Sequence, residues 1–223
     1  MSYTEDVVEE LQRKYNQFLL DNFYSTERLN EVVTQTGVIT KELFQLQLKT
    51  GIQQDSTAKV YYDLNRFNPF YSKAYFRVSI SDMSDVFVWI GFKKAFSDPA
   101  YDDDESHSAI MIRNGKLYLT TGNELGVATG YQNTEVTGVD CTRDFIFKIE
   151  KNKLSTMPLP QIIPYMDTFR IISPNRIWTH RVTNSTSPPE DVTHYILFFI
   201  SNTTNNNKTV TIKHFHYLEE YAD

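Results

Sequence analysis

From about Leu43 onward the apolar residues of this 223-residue chain recur at every second position. A period of two repeated over many short runs is a demand that β-strands meet and helices do not. Leu46 and Leu48 alternate with Gln45 and Gln47, Val60 and Tyr62 follow, and Phe76, Val78 and Ile80 share one face while Arg77 and Ser79 take the other. The run Val86 to Phe92 is apolar at almost every position, the pattern of a central strand covered on both sides. Asn114-Gly115 lies between the apolar runs Ala109 to Ile112 and Leu117 to Leu119 and predicts a tight hairpin, because a type I′ turn needs φ > 0 at both positions. Phe145, Phe147 and Ile149 alternate again, and Phe169 to Ile172, Ile177 to Val182, Tyr195 to Ile200 and Thr209 to Phe215 supply further strands. About ten strands are predicted, a number that closes into a sandwich or barrel more readily than into one open sheet.

The first residues obey a different rule. Val8, Leu11, Tyr15 and Phe18 recur at spacings of three and four, with Val7 and Leu19 widening the stripe, which predicts a short amphipathic helix between Thr4 and Phe23. The stripe is a candidate partner-binding or docking surface, either on its own domain or in a coiled coil. The chain therefore divides into residues 1–27, an assembly or docking segment, and 28–223, a single β domain. Three stretches read as long loops, Ala95 to Ser108, Gly122 to Gly138 and Thr183 to Asp191, and loops of that length commonly carry function.

Composition removes several classes of function. With 22 Lys+Arg against 28 Asp+Glu the net charge is -6 and there is no long basic block, so no nucleic-acid partner is expected. One cysteine, Cys141, leaves no intrachain disulfide and no cysteine-rich metal site, and reads as a buried thiol. The charged start has no signal-peptide core and the longest apolar run, Tyr195 to Ile200, is too short to span a bilayer, so no membrane insertion is expected. Sequons at Asn184, Asn202 and Asn207 pull the other way, toward a glycosylated chain.

The stretches GVITKELFQLQLKTG (37–51) and AYFRVSISDMSDVFVWIGF (74–92) resemble the opening strands of concanavalin A-like (laminin-G-like) jelly-roll domains. SAIMIRNGKLYLTTGN (108–123), VTGVDCTRDFIFKIE (136–150) and KTVTIKHFHYLEEY (208–221) follow in the family's order. The resemblance implies an all-β fold, a two-sheet antiparallel jelly-roll sandwich. It is closest in character to the versions in phage and archaeal virus structural proteins. It thus implies a non-enzymatic component of a virus particle, in the virion or cytoplasm, assembling with itself or with other structural proteins, with a carbohydrate-binding lectin module as the alternative. One departure stands out: Leu154 to Met166 inserts Pro158, Pro160 and Pro164, which predicts a segment crossing a rim where the family continues its sheet.

The chemistry-bearing residues point to binding. Glycosidases of this scaffold place paired carboxylates about 5 to 5.5 Å apart on one strand, and the Glu-x-Asp-x-x-Glu spacing that would do so is absent from the sequence. A glycan-cleaving enzyme would need carboxylates converging from separate loops. Glycan binding needs an aromatic face and amides or carboxylates for the hydroxyls; Tyr101, Tyr131 and Trp178, with Asp102, Asn133 and Asn175 beside them, are the candidates, read against ordinary core packing of aromatics. The acidic run Asp102 to Glu105 is either a solvated loop or a calcium site at Asp102 and Asp104. His214-x-His216 sets two imidazoles on one strand face but needs a further ligand to hold a metal. No cofactor is implied.

Overall fold

The computed structural model describes residues 18–21, 29–42, 45–62, 72–103, 105–122, 131–153, 165–173, 176–184 and 195–219. Within them the regular elements are fifteen strands: β1 (Phe18–Asp21), β2 (Leu29–Val33), β3 (Val38–Glu42), β4 (Gln45–Lys49), β5 (Thr57–Tyr62), β6 (Ser72–Ile80), β7 (Val86–Lys93), β8 (His107–Arg113), β9 (Lys116–Gly122), β10 (Tyr131–Val136), β11 (Phe145–Lys153), β12 (Tyr165–Ser173), β13 (Arg176–Asn184), β14 (Tyr195–Asn202) and β15 (Thr209–Glu219). They form two antiparallel sheets. One runs β13-β12-β11-β6-β15-β4-β3, with β1 added on β15; the other runs β10-β9-β8-β7-β14-β5-β2. This is the expected lectin-like jelly-roll sandwich. Among the described residues no helix is long and apolar enough to cross a membrane.

Alternation builds the core. Leu46, Leu48, Phe76, Val78, Phe145, Phe147, Ile149, Phe169 and Ile171 from the first sheet meet Val60, Tyr62, Val88, Ile90, Phe92, Ile110, Ile112, Ile196 and Phe198 from the second, all almost completely buried in one cluster. Each such side chain contributes roughly 1.5–3 kcal/mol. Cys141 lies in the same cluster, and burial first, with the nearby Asp140 charge second, pushes its thiol up to about 12.

The Asn114-Gly115 turn forms as expected, with φ of 52° and 76° and Arg113 paired with Lys116. On β15 the register shifts between Ile212 and His214. Lys213 is the extra residue, so the buried set changes from Val210 and Ile212 to Phe215 and Tyr217, and His214 and His216 fall on the outer face.

Two expectations need correction. Phe18 and Leu19, the end of the expected helical stripe, are strand: β1 pairs antiparallel with β15 from Phe18 opposite Leu218 to Asp21 opposite Phe215. β4 covers β15 only over Thr209 to Ile212, and β1 takes the edge beyond it, where ladder hydrogen bonds outweigh helical periodicity. Val8, Leu11 and Tyr15 lie outside the described residues. The stretch Gly122 to Gly138 is not one loop, because β10 pairs with β9 along its length. The proline-rich segment expected to cross a rim lies, over residues 154–164, outside the described residues; its flanking strands β11 and β12 are direct neighbours, from Ile146 opposite Ile172 to Lys153 opposite Tyr165.

Candidate functional site

β7 is apolar on both faces because it is covered twice. Val88, Ile90 and Phe92 face the main core; Trp89 faces the other way, into a second cluster with Ala109, Met111, Leu197 and Phe199 on the outer face of the second sheet. What covers that cluster is the β7–β8 connection, residues 94–106, which folds back across the sheet. Two buried lysines fasten it there. Lys59 donates to the Phe96 carbonyl at 2.8 Å and to Asp98 at 2.6 Å. Lys93, 1% exposed at its side chain, reaches Asp103 and Glu105, each at 2.5 Å. Phe96 stacks on Tyr61 at 5.6 Å, with Tyr195 edge-on at 5.7 Å. At the base of the loop the buried His107 donates from Nδ1 to the Glu105 carbonyl at 2.7 Å, leaving Nε2 to Thr120 Oγ1 at 2.7 Å.

Folded back in this way, the loop tip meets the end of the sandwich that carries the Asn114 turn, and a cavity of about 340 Å³ opens between them. Its apolar wall is Val86, Phe87, Pro99 and Ala100; its polar groups come from Asp102, Arg113, Asn114 and Thr203, with Tyr101 between. Backbone bonds hold the rim: Thr203 N–H donates to the Asp85 carbonyl at 3.0 Å and Gly115 N–H to the Met83 carbonyl at 3.1 Å. The Arg113 guanidinium lies over the Tyr101 ring, 4.5 Å from its centroid, and Tyr118 meets that ring at 84°.

Of the residues singled out in the sequence, the structure brings three together. Tyr101 and Asp102 share the cavity, and Asn133 on β10 donates from its amide to the Tyr101 carbonyl at 2.8 Å, fixing the loop tip from behind. Tyr131 stands two residues before Asn133 on the same strand, half-buried. Trp178 is elsewhere: it sits on β13 in the other sheet, partly buried against the main core and stacked on His180 at 5.3 Å. Asn175 lies outside the described residues. Arg113 and Thr203 are the additions that sequence reasoning missed; Arg113 carries a faint signal as the cation next to the Asn114-Gly115 turn, Thr203 none.

The acidic run is split by the same geometry. Asp103 and Glu105 hold Lys93, Asp102 faces the cavity, and Asp104 lies outside the described residues. Among the described residues no three His, Cys, Asp or Glu side chains gather as a metal site would require. The rings of His214 and His216 stand 6.4 Å apart, and burial, with the His214 charge second, holds His216 below the ordinary histidine range.

A second cavity, about 440 Å³, lies on the outer face of the first sheet among Tyr75, Arg77, Ile146, Lys213 and His214. Its two cations share one carboxylate: Asp144 accepts from Arg77 at 2.8 Å and from Lys213 at 2.7 Å. Of the sequons, Asn202 is completely buried, its amide donating to the carbonyls of Gly51 and Asn206, so it offers no acceptor nitrogen to a glycan.

No family model and no curated protein matches the sequence. Solved structures do match. The exoplasmic/lumenal domain of VIP36, in its Ca²⁺/Man₃GlcNAc-bound form, superposes with a TM-score of 0.61 at 8% identity, covering 92% of this chain and 92% of that one. Arcelin-5, a lectin-like defense protein from Phaseolus vulgaris, gives 0.60 at 11% identity over 92% of this chain and 99% of that one. A structure from work on endo-acting O-glycanases that human gut bacteria express to initiate mucin breakdown gives 0.62 at 9% identity, over 91% and 99%. At these identities the likeness is one of fold.

Proposed function

We propose that this protein is a carbohydrate-binding module that holds a saccharide in the 340 Å³ cavity under the 94–106 loop and does not cleave it. One observation carries the reading: an apolar wall containing the Phe87 ring and four kinds of polar group, a carboxylate, a guanidinium, an amide and a hydroxyl, converge in one concavity on a lectin-like sandwich. Lectin-like neighbours, among them a domain solved with Man₃GlcNAc, favour this over the virus-particle role implied by the sequence resemblance. The carboxylates support binding without cleavage. Most glycosidases use a second carboxyl group within ~5 to 9.5 Å of the first; Asp102 is the one carboxylate lining the cavity among the described residues, while Asp103 and Glu105 are committed to Lys93.

The test is a glycan array followed by calorimetry on the best binder. Asp102→Asn is expected to weaken binding by roughly tenfold or more, the worth of a charge-assisted hydrogen bond, with the melting temperature unchanged. Failure to bind any saccharide at tens of micromolar protein would end the proposal, and release of reducing ends from a bound polysaccharide would replace it with an enzyme.

A second reading, assembly with itself or a structural partner, is favoured by one feature. Ile146, Ile172 and Ile177 are cross-strand neighbours on β11, β12 and β13, and are 40%, 38% and 63% exposed. Ile172→Lys should then turn an oligomer into a monomer in analytical ultracentrifugation; a wild-type monomer at high concentration removes this reading.

A further inference from the structure

We infer that the cavity selects a saccharide bearing an anionic group, a carboxylate or a sulfate ester, and that Arg113 receives it. The inference rests on the glycan-binding reading and narrows it.

The chain carries an excess of acidic residues, and many of its cations are paired: Lys59 with Asp98, Lys93 with Asp103 and Glu105, Lys208 with Asp82, Lys148 with Glu150, and Arg77 and Lys213 with Asp144. Arg113 departs from this: among the described residues no carboxylate pairs with it, although Asp102 lines the same cavity. The contrast with the second cavity is direct, since there both cations are already bonded to Asp144.

Its mode of support matters as much as its freedom. The guanidinium carbon lies 4.5 Å from the Tyr101 ring centroid, so the π face of that ring supports the cation. The group carries five N–H donors in one rigid plane, more than a contact with a single ring can occupy. A planar fork supported by a ring and without a carboxylate partner in a concave site is suited to receive an oxyanion through two parallel hydrogen bonds. Asp102 supplies the complementary half, an acceptor for sugar hydroxyls, with the Asn114 amide and Thr203 hydroxyl beside it. One ring carrying both an oxyanion and free hydroxyls satisfies the two together; a neutral sugar would leave Arg113 desolvated without a partner.

Calorimetry with 3′-sialyllactose, lactose 3′-sulfate, trigalacturonate and uncharged lactose and cellotriose tests the inference and separates carboxylate from sulfate. At least one anionic saccharide is expected to bind ten-fold or more tightly than its neutral counterpart, and to lose affinity as salt rises from 50 to 500 mM. Arg113→Gln should abolish that preference, and Arg113→Lys, which keeps the charge without the fork, should keep part of it. Neutral saccharides bound as tightly as anionic ones, with Arg113→Gln indifferent, would overturn the anion selection and leave the glycan reading standing; no saccharide bound at all would overturn both. If Arg113→Gln lowers the melting temperature, the wild-type salt dependence decides, and an anionic-to-neutral affinity ratio that salt does not change counts against the inference.

Discussion

Replacing Phe76 with alanine is expected to destabilise the fold by about 3–5 kcal/mol. Phe76 is completely buried on β6, the central strand of the first sheet. Its ring stacks on Phe147 at 4.5 Å and on Phe215 at 5.1 Å, the neighbours on either side, and meets Phe198 of the opposite sheet nearly at right angles at 5.9 Å. One truncation therefore removes contacts within the sheet and across the sandwich, and three rings anchored in strands cannot collapse into the space left. In a domain of this size the loss corresponds to a fall in melting temperature of roughly 6 to 20 °C. Ile52→Ala is the control: Ile52 is 70% exposed, and its truncation should stay within about 0.5 kcal/mol. Urea unfolding of both variants checks the pair, and a loss below about 1 kcal/mol for Phe76→Ala would show that the two sheets are not held through this cluster.

The same physics explains which parts of the structure the sequence discloses. Alternation is legible wherever one face is buried and the other is not, as at Phe76, Val78 and Ile80, because a one-residue slip would carry the whole apolar set to the wrong side. Where burial is double, the strand is legible and its coverings are not. Val86 to Phe92 announces two apolar faces, but nothing in it says that the second is covered by the chain's own next loop. β10 escapes notice because Tyr131–Val136 is an edge strand rich in polar residues, and only pairing with β9 makes it a strand. β1 is read with the wrong period because four residues, Phe-Leu-Leu-Asp, fit either one. The bulge on β15 left a readable trace, since the buried positions pass from even numbers at Val210 and Ile212 to odd ones at Phe215 and Tyr217.

The candidate site is less legible than the fold for a related reason. Tyr101 and Asp102 can be chosen from their loop, and Asn133 from its polarity, but their meeting depends on where the loop tip is delivered. That is set in part by a lysine distant in sequence: Lys59 reaches Asp98 across 39 residues. A run of four acidic residues suggests a metal until a buried ammonium is found between two of them.

That ammonium supports the second large effect. Lys93→Met is expected to release the 94–106 loop from the outer face of the second sheet, and with it to abolish saccharide binding, while the sandwich stays folded. The side chains of Lys93 and Asp103 are 1% and 7% exposed, so deleting the cation strands a carboxylate that water cannot reach; Glu105, at 40%, can turn outward. Breaking one half of a buried pair typically costs about 3–5 kcal/mol. The cheapest escape is local: the loop lifts, Asp103 regains water, and the Trp89, Met111, Leu197 and Phe199 cluster loses its cover. Limited proteolysis should then cut within the loop, and Trp89 fluorescence should shift to the red. The Asp102→Asn binder should lose affinity by contact alone, with no new cleavage, which distinguishes the two variants. The double variant Lys93→Met, Asp103→Leu isolates the cause. It removes the stranded charge and the cation together, so stability and protease resistance should return toward wild type, as they do when a buried ion pair is replaced by apolar groups. Wild-type resistance in Lys93→Met alone would mean that Phe96 and Tyr101 hold the loop by packing, and that the buried lysine is not the latch positioning the site.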